Sequence, residues 1–593
     1  MSLIGNLIKG VLGIVGALTQ QQTNGLSKFG TLQAQTFPLF LSNNPLPGGF
    51  PWGFLTAAGS NPYTEAPNTG VIRNYDFTVT RGQIAPDGYQ QSVILVNGQF
   101  PGPQIEANWG DVIQVTIHNK ITGPEEGTAF HWHGMLQKET PWYDGVPGVQ
   151  QCPIAPGGSF TYQFRASLYG TSWYHSHYSA QYAGGLLGPM IIYGPNSPGV
   201  KYDIDLGPIF ISDWFHNEYD DIVADTLRPG GNPRPVADNN LINGKMNFDC
   251  STKAPGDNAK CTNNAGLSRF KFTTGKTHRL RLINAGADSL QRFSIDGHTM
   301  TVIENDYVAV KPYTTNVVTL GIGQRTDVLV TANVGNSNSA FWMRSNISTL
   351  CSAAKQPNAL AAIFYDRADT SKAPTSTAWD VPDPGTCTND DLTKTVPTFP
   401  IAVKTPATTQ TYDINFFVNS TGSFLWTLDG TSYRANYNQP VLLQADKGNF
   451  TFPAEWNVKN FGSNSTIRVV VNNHSPASHP MHFHGHNMQI LSEGPGDYDG
   501  TTIINPSNPQ RRDVQLVRAN GHFVFQYDAD NPGVWPFHCH IAWHVSGGLY
   551  ANLMERPDDI SKKFQTPYIM QQTCVDWEAY TNRDVVDQID SGV

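Results

Sequence analysis

An all-β fold, three β-sandwich domains in series, is what this sequence predicts, and three observations predict it. The chain has 593 residues, more than one ordinary core supports and enough for three or four compact units. Its 55 Gly and 41 Pro are spread along the chain among many Val, Ile, Thr, Phe and Tyr, which favours short strands joined by tight turns. Phrases of alternating apolar and polar residues recur, bounded by turn phrases such as APDG, FPGP and APGG.

Residues 1–70 read as a leader and an arm. The opening MSLIGNLIKGVLGIVGALTQ has an apolar run from Val11 to Leu18 behind Lys9, the outline of a short signal peptide or of an amphipathic leader. The Asn-, Pro-, Gly- and Ser-rich stretch after it, with SNNPLPGGFPWG, predicts an extended or poorly ordered segment. Domain one spans 71–198, with strands in IRNYDFTVTR, QSVILVNGQ, DVIQVTIHN and SFTYQFRA. Domain two spans 199–370, with DIDLGPIFISDW, HRLRLINAG, TMTVIEND and RTDVLVTANV. A Thr-, Pro-, Asp- and Ser-rich linker at 371–410 precedes domain three at 411–560, and 561–593 form an acidic C-terminal tail.

The formal charge of −10 comes from 15% charged residues without long runs. No basic stripe is present to neutralise phosphates or an anionic membrane, which argues against nucleic acid as a partner. Nothing beyond the leader reaches the roughly eighteen apolar residues of a membrane span, so a soluble protein is expected, with a monomer as the default. Seven cysteines are an odd number. With Cys539 set aside, Cys152, Cys250, Cys261, Cys351, Cys387 and Cys574 suffice for three bridges in any of fifteen connectivities. Asn-x-Ser/Thr triplets at Asn346, Asn419, Asn449, Asn464 and Asn473 agree with a secreted, extracellular protein.

Chemistry concentrates in the histidines. Ten of the seventeen fall in four short motifs: HWH at 131–133, HSH at 175–177, HPMHFH at 479–484 and HCHIAWH at 538–544. Side chains alternate along a strand, so each His-x-His step sends both imidazoles to one side. His131 with His133, His175 with His177, and His482 with His484 obey this rule. In His538-Cys539-His540 the imidazoles share one face and the thiolate takes the other, so one strand serves two metal centres. A Cys with two His is the blue-copper ligand set, supplied here by Cys539, His479 and His544. The eight remaining motif histidines make a second, all-imidazole cluster, joined to the first through the backbone of Cys539. The usual weak axial ligand is Met, but Leu549 stands at that position and cannot donate, which raises the site's potential. His118, His216, His278, His298, His474 and His522 read as ordinary polar residues. His486 is left out of the ligand set because Gly485 breaks the strand register.

The segments HWHG, HSHYSAQYAGGLLGP, HPMHFHGH and HCHIAWHVSGGL resemble the four copper-binding segments of multicopper oxidases, and most closely those of ascomycete fungal laccases. PGPQIEANWGD and PWYDGVPGVQQCPI extend the resemblance, which runs from about Val71 to the C-terminus. It implies three cupredoxin-like Greek-key domains and four copper ions: one type 1, one type 2 and two type 3. Carried over by motif, His131 and His482 hold type 2 copper. His133, His175, His177, His484, His538 and His540 hold the type 3 pair. Cys539, His479 and His544 hold type 1, with Leu549 axial and unbonded.

The reaction implied is one-electron oxidation of phenols or aromatic amines coupled to reduction of dioxygen to water. The resemblance places an acid near the type 1 histidine, here Asp288 in NAGADSL, to accept the phenolic proton, with His544 accepting the electron. Trp543 is a candidate for the pocket wall. Asp144 in WYDGV matches an acid near the cluster. The ending Asp590-Ser591-Gly592-Val593 matches a C-terminal plug, the mark of a processed end, and the bridges implied are Cys152–Cys574, Cys250–Cys261 and Cys351–Cys387. SPAS, before His479, is smaller and more polar than the resemblance leads one to expect. The alternatives are a ferroxidase, an ascorbate oxidase or a bilirubin oxidase, or a copper electron-transfer protein without oxygen chemistry. Leu549 opposes enzymes with an axial Met, a ferroxidase needs more acids than Asp288, and one blue-copper site alone leaves eight histidines unexplained.

Overall fold

The computed structural model describes residues 25–37, 50–563, 565–582 and 589–593; the leader lies outside them. Six sheets follow one another in three pairs. Strands between Ile72 and Tyr193 form two four-stranded sheets, and those between Ile204 and Tyr365 a six- and a five-stranded sheet. Strands between Thr408 and Glu555 form another six and five.

Alternation builds the outer strands. In Val112–Asn119 the inward Ile113, Val115 and Ile117 are fully buried, while Gln114, Thr116 and His118 face outward, as a half-buried strand requires. The middle sandwich closes its own core, with Ile209, Leu280, Val302 and Val328 from one sheet packed with Phe270, Phe293, Met343 and Ile363 from the other. The strands Gly170–Ser176 and Gly533–Cys539 are buried along their whole length. Both their faces are covered, because one apolar cluster runs without interruption from Trp132 and Trp173 in the first sandwich to Phe483 and Phe537 in the third. That shared core brings the motif-bearing strands together.

One expectation changes. The described parts of the arm are packed rather than poorly ordered: Leu26 bridges to Phe100, Phe37 to Asp205, and Trp52 and Ala57 are buried. Polar composition set the expectation, but a few apolar anchors suffice to hold a strap. The tail carries two helices, Pro557–Lys563 and Tyr568–Tyr580, which bury Ile560, Met570 and Trp577, while 589–593 are not helical. The disulfides are Cys152–Cys574, Cys250–Cys261 and Cys351–Cys387, the pairing the resemblance implied, and Cys539 is free and buried.

Candidate metal centre

Each of the four His-x-His steps straddles the end of a strand. His131 lies in Phe130–Trp132, His175 in Gly170–Ser176, His482 in His479–Phe483 and His538 in Gly533–Cys539. The second histidine is in every case the first residue past the end. The strands pair antiparallel, with His131 opposite His175 and His482 opposite His538. Two such hairpin-like pairs, one from each outer sandwich, meet at the shared core.

By their shortest contacts the ring nitrogens fall into two trios and a pair, and the groups adjoin, since a His131 nitrogen also lies within 4.8 Å of those of His133 and His175 and of those of His482 and His484. His133 Nδ1 lies 3.4 Å from His175 Nε2 and 3.3 Å from His540 Nε2. His538 Nε2 lies 3.4 Å from His177 Nε2 and 3.0 Å from His484 Nε2. His131 and His482 face each other through Nε2 at 3.5 Å. Imidazole nitrogens held about 2.0–2.1 Å from one tetrahedral ion sit roughly 3.3 Å apart, so the spacing fits metal ions shared within each group. Burial holds His133, His175, His177, His482, His484 and His540 well below the ordinary imidazole range. They are neutral, the form that ligates.

Two aspartates hold these rings from behind in matching ways. The Asp144 carbonyl accepts from His131 Nδ1 at 2.8 Å and its carboxylate accepts from His484 Nδ1 at 2.8 Å. The Asp513 carbonyl accepts from His482 Nδ1 at 2.9 Å and its carboxylate meets His133 Nε2 at 3.1 Å. Each thus fixes one ring of the pair and one ring of a trio, setting which nitrogen faces inward. His133 is turned over relative to the other seven because Asp513 takes its Nε2. Arg325 grips the Asp513 carboxylate through two nitrogens at 2.5 and 2.7 Å. Asp144, expected near the cluster, therefore touches the His131 and His484 rings on their outer side. Asp513, one Asp among many in the sequence, was not anticipated.

The third group is separate. Cys539 Sγ lies 3.5 Å from His479 Nδ1 and 3.6 Å from His544 Nδ1, and the two nitrogens are 3.0 Å apart. Burial pushes the thiol up, so a bound metal has to displace its proton. Strand pairing sets Cys539 opposite Met481, and the short helix Ala542–Ser546 presents His544. Leu549 is fully buried and its carbonyl accepts from the Cys539 N–H at 3.1 Å. Trp426 packs on both histidines, with ring centroids 4.9 Å from His479 and 4.4 Å from His544. In the sequence it reads only as a strand residue.

Asp288 sits on a loop that touches this helix, since Ala287 O accepts from the Ala542 N–H at 2.8 Å. Burial, and then the neighbouring Asp213, push the Asp288 carboxyl up to about 7. Trp543 packs edge-on against Phe215 at 5.3 Å and is 1% exposed, which makes it core rather than open wall. His486 stacks on Phe483 and pairs with Glu555 at 3.3 Å, outside all three groups. At the tail, Val593 lines a small enclosed space with His175, His177, His538 and His540. Ser591 anchors it there by donating to Ser546 O and Val545 O at 2.8 and 2.7 Å.

Family models described as multicopper oxidase match residues 78–197, 205–368 and 425–559. Oxidoreductase OpS5 of Beauveria bassiana is 40% identical over 550 residues, covering 91% of this chain and 91% of that protein. Laccase-2 of Botryotinia fuckeliana is 38% identical over 552 residues, with 91% and 92% covered. The crystal structure of a laccase from Botrytis aclada superposes with a TM-score of 0.84 at 37% identity, covering 91% of this chain and 98% of that one. With these matches spanning the three sandwiches and the histidine groups, the chain belongs to the multicopper oxidases, as a laccase-type oxidoreductase that uses four copper ions.

Proposed function

We propose that Cys539, His479 and His544 would hold the type 1 copper, with Leu549 buried beside Cys539 and its side chain offering no donor atom, and that His131 and His482 would hold type 2. His133, His175, His177, His484, His538 and His540 hold the type 3 pair. The observation that carries this reading is the division of eight imidazole nitrogens, 3.0–3.5 Å apart, into two trios and a pair. When bound, the coppers supply one-electron acceptance on one side and dioxygen reduction on the other.

The chain's own residues do the rest. His544 is 8% exposed where His479 and Cys539 are 0%, so its ring edge is the ligand a phenol or aromatic amine reaches. Asp288, as carboxylate, takes the phenolic proton while the electron leaves. The backbone of Cys539 joins directly to His538 and His540, a covalent route between the two centres. Asp144 and Asp513 keep the rings in their tautomers, and the Ser591–Val593 end shields the cluster from bulk water.

The functional units are the domains 71–198, 199–370 and 411–560. The protein acts as an extracellular monomer on small phenolic substrates, with neither membrane nor nucleic acid as partner. Three disulfides support export, and no helix among the described residues is long and apolar enough to cross a membrane. The test is oxygen uptake when a simple dimethoxyphenol is added to the copper-loaded protein. Uptake without accumulated peroxide is expected; peroxide as the end product, or no uptake, contradicts the reading.

A further inference from the structure

Four aromatic side chains that the copper sites do not use lead from the cluster to the surface. Tyr178 follows His177 directly, and its ring stacks on Tyr437 with centroids 5.2 Å apart. Tyr437 meets Trp577 edge-on at 5.8 Å, and Trp577 meets Tyr580 at 5.6 Å. Tyr437 and Trp577 are sealed at 1% exposed each, Tyr178 is half-buried, and Tyr580 at the far end is 44% exposed. Their polar ends are satisfied: Tyr437 Oη donates to Gly592 O at 2.6 Å and Trp577 Nε1 to Asn438 Oδ1 at 3.1 Å. The Cys152–Cys574 bridge pins the helix that carries Trp577 and Tyr580 to the first sandwich.

Tyrosine and tryptophan rings also pack elsewhere in the shared core, as Trp132, Tyr162 and Tyr174 do, but those rings are sealed from solvent. Here every ring belongs to tyrosine or tryptophan, the two side chains that give up an electron most readily. The line starts beside a ligand histidine and ends in solvent.

We propose that Tyr178, Tyr437, Trp577 and Tyr580 form a second electron path into the three-copper cluster, with Tyr580 as its outer terminus. This rests on the ligand assignment above. Reduction of dioxygen to water takes four electrons and four protons. When substrate at His544 delivers fewer electrons, the missing one is drawn inward along the rings from Tyr580, whose phenol releases its proton to solvent and becomes a neutral tyrosyl radical. The inner rings return to their starting state. A dissolved phenol then gives a hydrogen atom to Tyr580 and leaves as a phenoxyl radical. The net change is one electron and one proton from phenol, as in the ordinary route, through a second entrance.

The test compares copper-loaded wild type, Tyr580→Phe and Trp577→Phe in air-saturated buffer with limiting phenol. It uses freeze-quenched electron paramagnetic resonance and peptide mass spectrometry of oxidised side chains. In wild type a tyrosyl radical is expected that disappears in Tyr580→Phe. In Trp577→Phe, oxidative damage should move inward to Tyr178 and Tyr437, with the turnovers completed before inactivation falling several-fold and kcat at saturating phenol unchanged. No radical in wild type, or the same radical and damage map in all three proteins, overturns the proposal. Tyr580→Phe removes only a hydroxyl from an exposed helix end, so it decides the matter even where Trp577→Phe fails to fold. Blue colour and oxygen uptake in the same samples report separately on the ligand assignment.

Discussion

Asp144 and Asp513 show how much of a metal site lies behind its ligands. Each fixes the inward nitrogen of two rings in different groups. Asp144→Ala removes the acceptor of His484 Nδ1, and outer partners of this kind typically contribute about 10–100-fold in metal affinity or activity. Copper competition with a chelator should show a loss in that range, and wild-type retention would contradict the role. Asp288 makes a prediction in pH. Burial and Asp213 push its carboxyl up to about 7, so the proton-accepting carboxylate fills as pH rises through that value and is lost below it. Relative to a donor with no ionisable proton, kcat/KM for a phenol should rise across that range, and Asp288→Asn should flatten the ratio. A pH profile unchanged by Asp288→Asn would remove it from the reaction. At this scale the side chains that cluster were legible because His and Cys are scarce and closely spaced. Asp513 in RRDVQLV and Trp426 in SFLWTL were not, since an Asp or a Trp on a strand carries no spacing that marks its partner.

The strand end is the element that builds the site. One histidine sits on the last residues of the strand and the next just past it, so a single strand places two rings with little freedom. The outer strands were legible from alternation. Those carrying the motifs do not alternate, because both faces are buried, and the histidines marked them instead. The tail helices were missed for the opposite reason: Tyr568–Tyr580 buries only Met570, Thr573 and Trp577, too sparse a pattern to announce a helix. The Cys152–Cys574 bridge closes a separation of 422 residues. Replacing both with Ser should cost about 2–5 kcal/mol, seen as a lower guanidinium midpoint under oxidising conditions. An unchanged midpoint would mean that packing alone holds the helix.

On the scale of the whole molecule, the site exists because the first and third sandwiches share one core. The trios and the pair each draw rings from both. His133 and His175 of the first meet His540 of the third, His177 meets His484 and His538, and His131 meets His482. The middle sandwich contributes from outside, through Arg325 on Asp513 and the Asp288 loop on the His544 helix. Three domains in series were legible from strand spacing and turn phrases. That the two outer ones face each other was legible only through the resemblance, which joins His131 of the first to His482 of the third, because no local pattern records which sandwich a buried strand packs against.

The most direct test of the account is copper content and visible colour measured together on wild type and Cys539→Ser. Wild type should bind four coppers per chain, be intensely blue and consume oxygen with a phenol. Cys539→Ser should lose the blue band and phenol-driven uptake while keeping the three coppers of the imidazole cluster. A colourless wild type, or a Cys539→Ser protein that stays blue or loses all its copper, would contradict the division into one thiolate site and one imidazole cluster.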